Sequence, residues 1–438
     1  MKRNFLKLLS ITIILVMAIA LCSCDILSAY LGGADTDNIR DSVDNTSGLL
    51  ISSATINSKG ELIIKYTDGS IQNLGKITGN DGNVDVNIEG TSNDASYATA
   101  LGLRSAVSIL CTHNVYNKYG MLSSASSAGA GVIYQLDKES GDAFIITNYH
   151  VVFNEDSINA NGIADSISVY LYGSEYTDKG ISATFVGGSN NYDIAVLRVD
   201  DCDALKSNVF LPATFADSDE TYVGQSAIAI GNPDSSGISA SYGIISVYSE
   251  HITLNINGTV SLRVMRIDTP VNSGNSGGGL YNEKGELIGI VNAKSSDSSL
   301  ENIGYAIPSN IVKAVADNII YYCYEKECES MQRALLGVTV GVGDSNAYLT
   351  EDGHVKVKER VFVSEVSSDG IASEVLKEQD ILISARINDK EIEITRQHQI
   401  IDFILNARVG DTVFITVERN LERITLELLI TEDALTEY

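Results

Sequence analysis

From Leu101 onward, the chain alternates short apolar segments with turns rich in Gly, Asn, Asp and Ser. Many short strands at this spacing are typical of antiparallel barrels, which close on themselves and leave no open edge. The sequence therefore predicts a mainly β fold, with strands at Ala106–Cys111, Gly131–Leu136, Ala143–Thr147, Ile167–Tyr172, Ile181–Val186, Ala195–Val199, Ala227–Ile230 and Val264–Ile267.

A glycine-rich run at residues 272–280 contains Ser276 in a segment that must turn sharply. Glycine reaches backbone conformations that are closed to other residues, so successive N–H groups can converge beside the Ser276 hydroxyl. That arrangement would form an oxyanion hole. Taken alone, a glycine-rich run is more often an ordinary turn, so a catalytic role requires support from other residues.

Two upstream segments supply that support. His150 lies at the end of an apolar run, and Asp193 opens another at residues 192–199. A serine hydroxyl is too weak an acid to attack an amide unaided, so an imidazole must take its proton and a buried carboxylate must orient the imidazole. The order His150, Asp193, Ser276 is that of chymotrypsin-type double-barrel proteases. Two barrels meeting at a cleft would bring the three residues together.

Each of these residues also has a structural interpretation. A single histidine is usually structural or solvated, and Asp193 alone would be a charge at a strand edge. Asp268 is a rival carboxylate just before Ser276. None of the remaining histidines lies in an apolar run followed by a matching aspartate segment; they are His113, His251, His354 and His398.

Five segments carry a family resemblance: TNYHVV at 147–152, YDIAVLRV at 192–199, GNSGGGL at 274–280, AGAGVIY at 128–134 and NIGYAIPSN at 302–310. Together they resemble the Deg/HtrA family of trypsin-like serine proteases over residues 101–312. The resemblance implies a chymotrypsin-like double β-barrel protease domain followed by a PDZ domain. It also implies His150 as general base, Asp193 as its orienting carboxylate and Ser276 as nucleophile.

By the same resemblance, the oxyanion donors are the backbone N–H groups of Gly274 and Ser276, and Asp268 has a structural or pocket role. Relatives usually have proline where this chain has Gly279, and often proline or a basic residue at Ser273. We expect Gly279 to loosen the strand that leaves the nucleophile. The departure at Ser273 is consistent with a loop that rearranges between resting and active forms.

Substrate preference depends on the residues just before the nucleophile and on the strand near 289–293. Neither segment offers a charge suited to lysine or arginine, apart from Asp268. We therefore expect a small apolar residue on the acyl side of the cleaved bond, as the resemblance also implies.

The amino terminus has the layout of an export signal. A basic start is followed by the apolar run Leu8–Leu21 and then by Cys22-Ser23-Cys24. This ending resembles a bacterial lipobox, which predicts a lipoprotein signal peptide at residues 1–23 and lipidation of Cys24. An ordinary secretory signal and an uncleaved anchor are the alternatives. All three place the bulk of the chain outside the cytoplasm, and the lipid would hold it at the outer face of the bacterial cell membrane.

The formal net charge of −27 argues against nucleic acid as a partner, because phosphates would repel such an acidic protein. Attachment to a membrane would then depend on the lipid. The cysteines beyond Cys24 lack the spacing of a metal site, and we expect them to be free thiols; they are Cys111, Cys202, Cys323 and Cys328. No metal and no cofactor is predicted.

Residues 24–100 are rich in Ser, Asn, Asp and Gly, which predicts a tether. Within it, Glu61–Tyr66 and Ile71–Leu74 flank an Asp-Gly turn and predict a small β-hairpin module. After the protease domain, residues 313–332 are assigned to a connecting helix, with Pro308 marking its start and an amphipathic pattern from Ile311 to about Glu329.

Residues 333–431 resemble a PDZ domain. The segment Leu335, Leu336, Gly337 and Val338 resembles the loop whose N–H groups hold a peptide's terminal carboxylate. The groove helix is expected at Gln397–Asn406, and strands at Val361–Val366 and Thr412–Arg419. An extended peptide would add as a strand beside the loop. The alternative is a PDZ-shaped spacer that binds nothing.

These features together indicate a membrane-tethered, ATP-independent serine endopeptidase that degrades or processes misfolded exported proteins. Its partners would be unfolded polypeptides, peptide C-termini and the membrane, and the family resemblance adds a homotrimer. One alternative is a lipoprotein that binds peptides or unfolded proteins through the PDZ groove and has a weakly active or inactive protease domain. Another is a regulatory protease that makes one cut in one partner.

Overall fold

A computed structural model describes residues 51–56, 61–66, 71–76, 95–174, 180–255, 258–292 and 303–437. The predicted signal peptide at residues 1–23 and the lipidation site Cys24 lie outside these residues. Among the helices that the structure describes, none combines the length and the apolar character needed to span a membrane.

The amino-terminal unit, which ends at Glu89, contains a three-stranded antiparallel sheet. Its strands are β1 (Ile51–Ile56), β2 (Glu61–Tyr66) and β3 (Ile71–Lys76). The sequence predicted the pair β2 and β3, but not β1, which pairs with β2 along its length.

The second unit, Gly90–Tyr438, begins with helix α1 (Ala95–Leu103) and a closed six-stranded antiparallel barrel. Apolar side chains fill this first barrel because one face of each strand points inward; examples are Ile109, Ile133, Ile145, Val169 and Leu197. The strands are β4 (Ala106–Tyr116), β5 (Leu122–Leu136), β6 (Ala143–Thr147), β7 (Ser166–Leu171), β8 (Ile181–Ser189) and β9 (Ile194–Val199). The short helix α2 (Tyr149–Val152) follows β6.

A second closed barrel follows, and the predicted double barrel in a mainly β fold is confirmed. Only two of its strands were foreseen. The strands are β10 (Ser226–Gly231), β11 (Ser239–Asn255), β12 (Thr259–Ile267), β13 (Gly279–Tyr281), β14 (Leu287–Asn292) and β15 (Gly304–Pro308). One buried cluster contains Val132 and Ile146 of the first barrel together with Ile230 and Tyr281 of the second, so the two barrels share a core.

Helix α3 (Ser309–Ile319) follows the second barrel, and Ile320–Glu325 continue as a π-helix. The sequence predicted an α-helix to about Glu329, and the prediction was too long. The aromatic and β-branched run around Ile320 has weaker helix propensity than alanine or leucine. Glu327 then takes a left-handed conformation, with φ of 55°, which ends the helical path.

The C-terminal module contains a six-stranded sheet and one helix, α4 (Gln397–Ile404). The sheet strands are β17 (Val338–Leu349), β18 (Val355–Val366), β19 (Ile381–Ile387), β20 (Lys390–Glu393), β21 (Thr412–Arg419) and β22 (Glu422–Leu429). Strand β16 (Gln332–Ala334) pairs separately with β23 (Leu435–Glu437), beyond the predicted limit of residue 431. Within the sheet, β17 is an edge strand.

Buried charges join this module to the second barrel. Arg263 on β12 forms a hydrogen-bonded ion pair with Asp402 on α4, and both side chains are almost fully buried. His398 Nε2 lies 3.4 Å from Asp219 Oδ1. Polar contacts shielded from water, including one ion pair, therefore link the barrel and the module.

Candidate active site

His150 lies in the one-turn helix α2, immediately after the fully buried strand β6. The Thr147 hydroxyl at the end of β6 donates to the Ala130 carbonyl at 2.7 Å, which fixes the strand end. The imidazole therefore projects from a rigid element of the first barrel, and its side chain is 29% exposed.

Asp193 is 1% exposed and accepts two hydrogen bonds from His150. Its Oδ1 accepts the His150 backbone N–H at 2.9 Å, and its Oδ2 lies 2.7 Å from His150 Nδ1. The Asp193 backbone has φ of 50°, the left-handed region that aspartate tolerates better than most residues. The carboxylate thus fixes both the backbone and the ring of the histidine.

Two asparagines that the sequence did not single out support this pair. Asn292, at the end of β14 in the second barrel, donates from Nδ2 to Asp193 Oδ2 at 2.6 Å. Asn148 Nδ2 donates to the Asp193 carbonyl at 2.8 Å. Both side chains are fully buried. A buried amide at the end of the otherwise apolar β14 is the signal that sequence reasoning could have used.

The His150 pKa results from two opposing effects. Burial lowers it, but the charge of Asp193 and the hydrogen bond to it raise it, and the pKa lies above the usual value for histidine. A base with a raised pKa binds a proton more readily, so the pair is suited to take a proton from a hydroxyl near neutral pH.

The loop that carries Ser276 lies against the first barrel. The Ser276 carbonyl accepts from the Ala130 N–H at 2.8 Å. A Cβ on Gly277 would lie 2.3 Å from Thr147 Oγ1 and 3.1 Å from the Asn148 nitrogen. Since Asn148 is two residues before His150, the structure brings the serine loop of one barrel beside the histidine of the other.

Two N–H groups of this loop lack partners among the described residues. Carbonyls of the loop accept hydrogen bonds from the N–H groups of Ala130 and Asn232. Within the loop, the Asn275 N–H donates to the Asn272 carbonyl at 3.0 Å. Within the part of the chain that the structure describes, no acceptor receives the N–H of Gly274 or of Ser276, and both residues are buried. Buried donors without partners are what an oxyanion would bind.

Gly274 has φ of 94°, and a Cβ there would lie 2.1 Å from the Asn232 carbonyl oxygen. Asn232 is itself fixed: its Nδ2 donates to Ser108 Oγ at 2.7 Å, and its Oδ1 accepts from the Gly237 N–H. The fixed Asn232 backbone therefore lies against Gly274 and positions the loop, and only glycine fits at residue 274. Sequence reasoning did not identify this residue.

Gly279 behaves differently from the expectation that it loosens the strand after the nucleophile. It lies in β13, pairs with Ile230 and Ile290, and is buried. A Cβ at this position would lie 2.5 Å from the Tyr281 ring. Glycine at this position lets the Tyr281 ring pack closely. Because β13 pairs with a strand on each side, Gly279 does not loosen it.

The hydrogen bonds of the described residues do not include one between the Ser276 hydroxyl and the His150 imidazole. The pair His150 and Asp193 is assembled, and the serine is on the facing loop. Catalytic hydrogen bonds are often long in the absence of substrate and tighten in the complex, so this geometry is compatible with catalysis.

Asp268 is exposed and accepts the Ile244 N–H at 2.6 Å. Its carboxylate therefore stabilises the start of the turn before the serine loop and takes no part in the His150 pair. Nearby, Thr269 and Val271 are buried, and Val271 lies against Gly304. Residue 293 and the segment that follows it to residue 302 lie outside the described residues.

A second concave feature lies in the C-terminal module. A groove of about 540 Å³ runs between the start of edge strand β17 and helix α4. Leu335, Leu336, Gly337 and Val338 all line it, together with Ile400, Ile401 and Ile404. The structure thus brings the predicted loop and the predicted helix together around an apolar groove.

The loop of this groove has two N–H groups available. The Leu335 N–H donates to the Ala434 carbonyl at 2.8 Å, whereas the N–H groups of Leu336 and Gly337 have no acceptor among the described residues. Gly337 has φ of 76°. On the opposite wall, Gln397 Nε2 donates to the Val340 carbonyl at 2.7 Å, an acceptor on the free edge of β17.

The described cysteines Cys111, Cys202, Cys323 and Cys328 are free thiols. Burial raises the pKa of Cys111 to about 12. Across the described ranges, no three His, Cys, Asp or Glu side chains are grouped so as to hold a metal ion.

The chain resembles known proteins in sequence. The family model described as "Trypsin-like peptidase domain" matches residues 129–290. The chain is 32% identical over 313 residues to the serine protease Do-like HtrA of Bacillus subtilis (strain 168), which covers 69% of this chain and 63% of that relative.

A second relative is the probable periplasmic serine endoprotease DegP-like of Rickettsia conorii (strain ATCC VR-613 / Malish 7), 30% identical over 295 residues, 67% of this chain and 52% of that relative. A solved structure, "HtrA-type protease AlgW with tripeptide", is 25% identical, with a TM-score of 0.49, and covers 79% of this chain and 98% of that chain.

The matched region spans less than two thirds of the length of the first curated relatives, 63% and 62%. The family-model match at residues 129–290 includes the histidine, aspartate and serine segments described above. On these sequence relationships, the chain contains a trypsin-like peptidase domain and is homologous to the HtrA serine proteases.

Proposed function

We propose that the chain is a serine endopeptidase with His150 as general base and acid, Asp193 as its orienting carboxylate and Ser276 as nucleophile. The observation that carries the proposal is the buried Asp193 bound to His150 Nδ1 at 2.7 Å, beside a serine loop with two N–H groups that have no partner among the described residues. Removal of the Ser276 proton by His150 Nε2 would accompany attack on the substrate carbonyl.

The negative oxygen formed in that step would accept hydrogen bonds from the Gly274 and Ser276 N–H groups. His150 would then give its proton to the leaving amine, leaving an acyl group on Ser276. Water, deprotonated by the same imidazole, would release the acyl product and restore the serine. None of these steps consumes a nucleotide, which fits an ATP-independent reaction.

We assign this activity to misfolded exported proteins outside the cytoplasm, with the chain tethered to the membrane by a lipid on Cys24. The name of the Rickettsia relative places that protein in the periplasm. The assignment also rests on the export-signal layout of residues 1–23. We assign a preference for a small apolar residue on the acyl side of the cleaved bond. Val271, just before the serine loop, is buried and apolar, and the Asp268 carboxylate already accepts the Ile244 N–H instead of facing a basic substrate side chain.

We further assign the C-terminal module as a PDZ domain that binds peptide C-termini. A terminal carboxylate would accept the N–H groups of Leu336 and Gly337, and the peptide would extend β17. A homotrimer, which the family resemblance implies, belongs to the same proposal.

A second candidate is a peptide-binding lipoprotein with a weakly active protease domain. Two observations favour it: the well-formed groove beside β17, and the absence of a hydrogen bond between Ser276 and His150 among the described residues.

A serine-directed phosphonate, applied to the full chain with and without unfolded casein, separates the two candidates. Endopeptidase function predicts a mass-mapped adduct on Ser276 that is lost in His150→Ala, and casein cleavage that is lost in Ser276→Ala. Ser364→Ala, on the C-terminal sheet, is the matched control. Labelling in neither condition, with intact peptide binding, would favour the binding protein. Broad or single-site cleavage would then distinguish quality control from regulatory processing.

A further inference from the structure

Strands β4 and β5 continue beyond the first barrel as a hairpin. Strand β4 pairs with β7 only as far as Thr112. Beyond it, residues 113–116 pair with β5, and Val115 also bridges to Ser157 on the neighbouring loop. At the tip, four large side chains are mostly exposed: Tyr116 at 66%, Tyr119 at 72%, Met121 at 59% and Leu122 at 61%. Exposed apolar side chains grouped in this way mark a contact surface.

The turn that presents these side chains is ordered. Asn117 Oδ1 accepts the N–H groups of Tyr119 at 2.9 Å and Met121 at 3.1 Å. The Asn117 N–H donates to the Met121 carbonyl at 2.9 Å, and Gly120 takes the positive φ of 73° that the turn requires. The apolar side chains are therefore held outward by a defined backbone.

The hairpin's own sequence differs in charge from the rest of the chain, although Asp165 Oδ2 on the neighbouring loop accepts the Asn114 N–H at 2.6 Å. The chain has 57 Asp and Glu in 438 residues, yet none between Asp94 and Asp137. The tip carries one cation, Lys118, whose Nζ lies 5.1 Å from the centre of the Tyr119 ring. An otherwise acidic protein thus has a long segment that negatively charged head groups would not repel.

The shape of the tip decides between a protein and a lipid as partner. A stable protein interface covers about 800 Å² on each side, whereas this cluster consists of four side chains at the end of a two-stranded hairpin. A lipid layer can deform around such a tip. Tyrosine, with an apolar ring and a polar hydroxyl, is enriched where membrane meets water.

We propose that the tip of this hairpin, residues 116–122, inserts into the interfacial layer of a lipid membrane. Exposed Glu155 and Asp156 on the neighbouring loop limit the depth, since Ser157 bridges to Val115 just below the tip. At the base of the hairpin, Ser127 Oγ donates to the Val151 carbonyl beside His150. Insertion would therefore orient the candidate active site relative to the membrane, independently of any lipid on Cys24.

The absence of tryptophan from the sequence provides a site-specific test. In the full chain, Tyr119→Trp places a single fluorophore at the tip. Tyr242→Trp, at a position 57% exposed on the second barrel, is the matched control. Each variant is mixed with phosphatidylcholine–phosphatidylglycerol vesicles that contain brominated acyl chains.

We expect a blue shift and several-fold quenching for Tyr119→Trp and little change for Tyr242→Trp. Adding Met121→Ser and Leu122→Ser to the Tyr119→Trp chain should reduce the quenching, with an unchanged circular dichroism spectrum. Vesicle co-flotation without quenching of the tip fluorophore would overturn the proposal, because attachment would then come from elsewhere. Equal quenching of both fluorophores would also overturn it. So would a blue shift of the tip fluorophore that grows with protein concentration in the absence of lipid, because the tip would then bind a second copy of the chain.

Discussion

Asn292 donates a 2.6 Å hydrogen bond to the same Asp193 oxygen that holds His150 Nδ1, and it does so from the opposite barrel. The carboxylate of the first barrel is therefore oriented by an amide of the second. Both partners are buried, so the hydrogen bond is shielded from water.

Replacing Asn292 with Ala should lower kcat by about 10- to 100-fold with little change in KM, since a hydrogen bond to a charged group is worth about 1.5–3 kcal/mol. Asn292→Asp should raise the apparent pKa of His150, because it adds negative charge next to the imidazole. Steady-state kinetics across pH measures both effects. Asn208→Ala, at an exposed position on the linker between the barrels, is the control. Normal kcat in Asn292→Ala would show that the contact does not position Asp193.

The pH dependence of kcat/KM should follow deprotonation of His150. Since Asp193 holds the pKa of His150 above the ordinary value of about 6.5, activity should rise with pH and reach half its maximum above that value. In Asp193→Asn, burial alone remains and lowers this pKa, while kcat falls by about 10⁴-fold. A profile that is flat from pH 5 to 8 would contradict His150 as the base.

Gly274→Ala should abolish most activity without unfolding the protein. A Cβ 2.1 Å from the Asn232 carbonyl must displace the loop, and the N–H donors move with it. Loss of one oxyanion donor costs about 3 kcal/mol, or 10²- to 10³-fold in kcat. Gly224→Ala is the control, since Gly224 also has a positive φ, of 92°, but no atom within 4 Å of the added Cβ. Equal activity of the two variants would exclude Gly274 from the oxyanion site.

Arg263→Met should destabilise the protein by about 3–5 kcal/mol, because it leaves the buried Asp402 without its cation. Burial already holds the pKa of Asp402 above its usual range, and loss of Arg263 raises that pKa further. The protonated carboxyl needs no cation, so the difference from the wild type should be full near pH 8 and shrink as the pH falls toward 4. Thermal unfolding at several pH values measures this. Arg423→Met, on an exposed face, should show no such trend.

Gln397→Ala should tighten the binding of a peptide with a free C-terminus by up to about tenfold. The Gln397 amide occupies the Val340 carbonyl, an acceptor that an added strand would use, and removing it releases a hydrogen bond worth about 0.5–1.5 kcal/mol. Fluorescence anisotropy with a labelled apolar peptide measures the change, with the exposed Gln135→Ala as control. Weaker binding would instead make Gln397 a ligand-contacting residue.

The sequence was most informative where chemistry requires particular residues. Ser276, His150 and Asp193 stood out as candidates because the serine is embedded in glycines and the other two adjoin apolar runs. Asn292 and Asn232 were missed because an asparagine has many structural uses, and only the folded contacts show that one binds Asp193 and the other lies under Gly274.

Strand limits were less predictable than strand positions. All six strands of the first barrel were found, because their apolar runs are bounded by turn residues. Strand β11 was missed because the other strands were recognised from apolar runs, and β11 has no long apolar run, although much of it alternates polar and apolar residues. It continues toward the C-terminal module, where Ser249 contacts His398. Strand β13 has only three residues, too few for a periodic pattern.

The division of the candidate site between two barrels has a consequence for synthesis. A ribosome releases His150 and Asp193 well before Ser276, and the Asn292 amide follows last of the four. A partly made chain therefore has a histidine and an aspartate but no nucleophile, and its aspartate still lacks the amide that orients it. An incomplete chain therefore cannot hydrolyse peptides, and activity arises only after the second barrel has been made and has closed.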